Sequence, residues 1–113
     1  MKIYIAERQE NGVVKATVNG EPLKHQSYHS PDGFELGYAG SGPADLAFSI
    51  LADHFGEEDA AGAGRTTGLG QMAPRSWEHH QAFKMYWLVK EGTRLEIDSE
   101  QIETWLLEGA QSG

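Results

Sequence analysis

The sequence predicts an α+β domain: an antiparallel sheet of five or six strands with two main helices packed on one face. Three observations predict it. Two Asn-Gly pairs punctuate alternating residues near the start, a long apolar helix follows a glycine-rich stretch, and a well-capped helix comes last.

Asn11-Gly12 and Asn19-Gly20 are the strongest short-range signal for two-residue type I′ hairpins, because both residues tolerate positive φ. Closing the first pair sets Ile5 opposite Val18 and Glu7 opposite Ala16; closing the second sets Ala16 opposite Leu23. Ile3, Ile5, Ala16, Val18 and Leu23 then share one face of a three-stranded meander. His29-Ser30-Pro31-Asp32-Gly33 has the residue order of a type I turn, expected to join strands at 23–28 and 34–38. The helix expected over Ala44–Phe55 has Pro43 at its first position, Asp45 in its first turn and Gly56 as an αL terminator. Its polar residues, Asp45, Ser49 and Asp53, form a narrow stripe at spacing four, so apolar side chains wrap most of the cylinder and the helix is central.

From Gly56 to Arg75 the pattern breaks. The stretch holds Gly-Ala-Gly, Gly-Leu-Gly and an acidic triplet, and its low apolar content gives no means of offsetting ordering entropy. The expectation for 57–75 is a mobile glycine-rich loop within one domain spanning 1–113. A short helical turn follows from Ser76 to about Ala82. Phe83, Met85, Trp87 and Val89 then alternate with more polar neighbours, which predicts a strand, and another is expected at Arg94–Ile97. For the last helix, Asp98 is the cap, Gln101 completes a capping box, Ile97 and Ile102 form a staple, and Gly109 is the expected end.

One domain is what 113 residues allow. The absence of cysteine excludes disulfides, thiolate zinc sites and cysteine nucleophiles. With charges from Lys2 onward and no apolar run of about 18 residues, neither a signal peptide nor a membrane span is expected, and the expected home is the cytoplasm. Seventeen acids against nine bases give a net charge of −8, which argues against direct nucleic-acid or membrane binding. From Glu91 onward Arg94 is the one base, among Glu91, Glu96, Asp98, Glu100, Glu103 and Glu108. An acidic surface of Glu96, Asp98, Glu100, Glu103 and Glu108 either aids solubility or meets a basic partner.

The segment from His29 to Ala47 is the densest in special residues, and Gln81-Ala82-Phe83-Lys84 forms a second element. Here the chain resembles a family of small uncharacterised bacterial and phage proteins with the signature HSPDGFxxGYxGSGPAxLA. The resemblance implies a mobile-element setting and confers no activity; the glycine-rich connection here is longer than such members carry.

Chemically, Gly40-Ser41-Gly42 before a helix has the makings of an anion nest, but lacks the lysine of a P-loop. The other reading is a tight strand-to-helix corner. No zinc-type spacing links His29 with Asp32, and no GxSxG exposes Ser30 or Ser41. No metal or cofactor is expected. Trp77, Trp87, Trp105, Tyr28, Tyr38 and Tyr86 read as core and rim aromatics.

The reading is therefore a non-catalytic accessory protein that binds a protein partner, with inhibition of a host defence complex as a sharper form. The alternative is an anion- or nucleotide-binding domain or enzyme, with a pocket built from His29, Asp32, Tyr38, Gly40, Ser41 and Gly42.

Overall fold

The computed structural model describes residues 1–28, 33–57, 60, 74–90 and 93–112, the last four for their backbone alone. The chain is α+β. Strands β1 (Ile3–Arg8), β2 (Val14–Val18), β3 (Glu21–Pro22) and β4 (Arg94–Asp98) form an antiparallel sheet of order β3-β2-β1-β4. The helices are α1 (Ser41–Phe55), α2 (Arg75–Phe83), which continues into a π-helical turn at Lys84–Leu88, and α3 (Ser99–Ser112).

Among the described residues the sheet has four strands, not five or six. The two Asn-Gly pairs both turn the chain, but not in the same way. Asn19 (φ 49) and Gly20 (φ 83) are both left-handed and make the expected tight turn, with Val18 opposite Glu21 and Leu23 N bonding Ala16 O at 3.1 Å. At the first pair Gly12 (φ 87) is left-handed and Asn11 is not. The connection is a five-residue loop closed by Gln9 N to Val13 O at 2.8 Å, with Asn11 Oδ1 accepting from Val13 N.

The longer loop shifts β1 by one residue from the expected register: Tyr4 faces Val18, and Ala6 faces Ala16. Tyr4 and Ala6 therefore enter the core, while Ile3 is exposed and Ile5 half-buried. A buried tyrosine needs a partner for its hydroxyl, and Tyr4 Oη donates to Asp53 Oδ1 at 2.7 Å.

The strand expected at 23–28 is irregular beyond Pro22, and the one expected at 34–38 shrinks to a single bridge between Phe34 and Val14. Their backbone groups find other partners. Gln26 N donates to Ser49 Oγ at 2.8 Å, and Gly37 N donates to Leu88 O at 2.9 Å. The alternation at 83–89 is helical, not extended. Phe83 and Leu88 are buried while Met85 and Tyr86 are more than half exposed, and a five-residue interval between buried positions suits the wider π turn.

The core lies on one face of the sheet. Tyr4, Ala6, Val14, Ala16, Leu95 and Ile97 meet Leu46, Ala47, Ile50 and Leu51 of α1, together with Phe83, Leu88 and Ile102. The other side of α1 packs Phe48 and Ala52 with Ala60, Tyr28 and Trp77. As its composition predicts, α1 is central: Gly42 to Ala52 are all buried.

The sequence places the start of α1 two residues late, and Gly40 is its N-cap residue. Asp45 consequently lies beyond the first turn, and Gly56 ends the helix in αL as expected. For α3 the capping box is present in both directions, Gln101 N to Asp98 Oδ1 at 2.8 Å and Asp98 N to Gln101 Oε1 at 3.0 Å. The helix runs through Gly109 to Ser112 instead of stopping there.

Candidate functional site

Three places have chemistry to offer, and the sequence singles out two of them. The first is the glycine corner at the start of α1. His29 and Asp32 lie outside the described residues, as does most of the 57–75 loop. Of the rest of that set, Tyr38 and Ser41 are exposed, Gly40 is half-buried and Gly42 is buried.

The corner is close-packed. A Cβ on Gly40 would stand 2.3 Å from the Tyr38 ring, and one on Gly42 would stand 2.6 Å from Glu35 Cβ. Glycine is needed here for close approach. Arg8 crosses the same place, bonding Glu35 Oε1 at 2.8 Å and Leu36 O at 3.2 Å. A carboxylate side chain of the protein thus already sits beside the helix start.

The second place is the polar stripe of α1, whose spacing would suit a solvent face equally well. Asp45 and Ser49 are buried instead. Asp45 accepts from Tyr28 N at 3.3 and 3.2 Å, and His25 Nε2 stands 2.9 Å from its Oδ2, under the ring of Phe34. Asp53 accepts from Tyr4 Oη and from Lys2 Nζ at 2.9 Å. The stripe is a ladder of acceptors that ties residues 25–28 and the start of β1 to α1. Burial and then the Asp53 carboxylate raise the Tyr4 phenol well above its ordinary value.

The third place is the acidic region, which the structure divides. Glu96 sits on the open face of the sheet and pairs with Arg94 at 2.8 Å. That bond, joined by Glu7, raises the Arg94 guanidinium above its usual value. Glu103 bonds His54 Nε2 at 2.6 Å, and together with Glu100 it lines a shallow hollow of about 560 Å³.

Asp98 and Glu108, with Glu100 shared between the two places, border a groove of about 330 Å³ between the π turn and α3, whose other walls include Tyr86, Trp87 and Trp105. Among the described residues no lysine or arginine lines it. The rings pack on one another, Tyr86 against Trp87 at 4.9 Å and against Trp105 at 6.2 Å, and Trp105 meets Phe83 edge-on at 5.4 Å. Trp87 Nε1 is closed off from solvent without a hydrogen-bond partner among the described residues.

Sequence reasoning finds the acids of this groove and misses its aromatic wall. Read as a strand, residues 83–89 put Trp87 on the side of Phe83 and Tyr86 on the other. The five-residue interval from Phe83 to Leu88 is the signal that would bring both rings to α3. A third hollow, of about 210 Å³, lies among Lys2, Lys24, Ser49, Asp53 and Glu57.

Among the described residues no group of three or more His, Asp or Glu could hold a metal ion. Among them, too, no helix is long and apolar enough to cross a membrane. A family model described as a family of unknown function (DUF6166) matches residues 4–67, from β1 to beyond α1. Neither curated proteins nor solved structures give a match to the chain.

Proposed function

The chain belongs to DUF6166, a family of unknown function, and we propose that it is a non-catalytic interaction domain that binds a protein partner through the acidic side of α3. One observation carries the reading: the groove of Tyr86, Trp87 and Trp105 is bordered by Asp98, Glu100 and Glu108, with no basic residue among the described residues of its lining. Interface centres favour aromatic residues, and a rim of one charge sign selects the opposite sign. A sharper form makes the domain an inhibitor of a defence complex, encoded by a phage or other mobile element, with these acids occupying a basic nucleic-acid channel. The alternative, an anion pocket at the glycine corner, has Glu35 against it, because that side chain fills the space beside Gly42.

The test is affinity capture from cells that naturally produce the protein, with two baits compared. A partner held by the wild type at low salt and lost from the double variant Glu100→Lys, Glu108→Lys supports the reading, given equal helicity of both baits. A partner that ignores this charge reversal and is lost with Gly42→Ala would overturn it.

A further inference from the structure

We propose that the groove between the π turn and α3 is a receptor for an arginine side chain carried on an extended basic segment of the partner. The inference rests on the interaction reading above and names the chemistry that the groove selects. Its wall is aromatic, and Tyr86 is 57% exposed, so that residue is within reach of a ligand. The rim supplies the carboxylates of Glu100 and Glu108, both exposed, and Asp98, whose Oδ1 already caps α3. A groove of about 330 Å³ has room for a long side chain and not for a folded element.

Cation, ring and carboxylate together favour arginine over lysine. A guanidinium lies flat on an aromatic ring while its N–H fork meets a carboxylate, whereas an ammonium is more strongly hydrated and cannot do both as well. Among the described residues no lysine or arginine lines the groove, so none of them competes for it. The π turn is what makes the site. It advances Tyr86 and Trp87 toward α3 while Phe83 and Leu88 remain anchored in the core, and such turns recur where a helix presents functional side chains.

The test uses the full chain with three synthetic peptides, alternating Gly-Arg, Gly-Lys and Gly-Gln, titrated near physiological salt and followed by indole fluorescence. The expected result is an arginine peptide that binds at least about ten-fold more tightly than the glutamine peptide and about three-fold more tightly than the lysine peptide. Tyr86→Ala should weaken arginine binding about three-fold and abolish the preference over lysine. Glu100→Gln with Glu108→Gln should weaken both cationic peptides, and Glu103→Gln should do so much less. If Tyr86→Ala lowers the melting temperature, Tyr86→Leu replaces it, keeping apolar area without the ring face.

Equal affinity for arginine and lysine that is indifferent to Tyr86 would overturn the arginine receptor and leave the broader acidic-face reading standing. No affinity for either cationic peptide would overturn the receptor too. The acidic-face reading would then be decided by the capture experiment with charge-reversed α3.

Discussion

Asp45 is a fully buried carboxylate held by a backbone N–H and an imidazole. Removing such an acceptor takes a hydrogen-bond partner from Tyr28 N in a water-poor place, and losing one costs about 1 to 3 kcal/mol. Asp45→Ala should therefore lower the urea midpoint strongly, and more than His25→Ala, since His25 is partly exposed. Equal small losses would refute the ladder of acceptors. Tyr4 makes a different prediction. Its phenol is raised in the folded state, so its contribution is complete below the unfolded value of about 10 and is lost as pH rises above it. Stability should fall across alkaline pH, and Tyr4→Phe should flatten that fall; an identical slope in the variant would refute it. At the glycine corner, Gly42→Ala must displace Glu35 and should cost about 1 to 3 kcal/mol. Phosphate should raise the melting temperature no more than chloride of equal ionic strength. Spacing in the sequence reveals that Asp45, Ser49 and Asp53 share a stripe, but a polar stripe looks the same whether it faces water or an irregular backbone.

Elements whose signals are local are the ones the sequence discloses. The α3 start is legible because Asp98 and Gln101 sit three residues apart and satisfy each other's backbone donors. Asp98→Ala should cost on the order of 1 kcal/mol, measured by thermal unfolding. The β1–β2 hairpin shows the limit of local signals. Asn11-Gly12 and Asn19-Gly20 are the same dipeptide, yet Gln9 and Val13 close a longer loop around the first, and the register then follows from burial of Tyr4 against Ile97 and Val18. The expected strand at 83–89 fails for a related reason. A short apolar run carries little periodic information, and its helical state is decided by contacts with α1 and α3 that no nearby residue announces. The same limit hides the groove: its carboxylates lie on one recognisable helix, while its rings come from the π turn.

At the scale of the molecule, distant parts are joined by a few side chains. Glu57, just beyond α1, accepts from Arg75 N at 2.9 Å and Ser76 N at 3.0 Å, satisfying the first donors of α2 from the far end of a long connection. The α+β class, the central α1 and the capped α3 are all legible in composition and pattern; this clamp is not, because its members are eighteen and nineteen residues apart. Glu57→Ala should cost about 1 kcal/mol, as loss of a cap does, and urea unfolding would reveal it. The clamp fixes Glu57 and the start of α2 to one another across that connection. Once the ends are pinned, each doubling of the connection adds only about 0.6 kcal/mol of closure entropy. In mechanical terms Glu57 is a rivet: one carboxylate taking two amide hydrogen bonds closes a long loop where another protein would use a covalent crosslink.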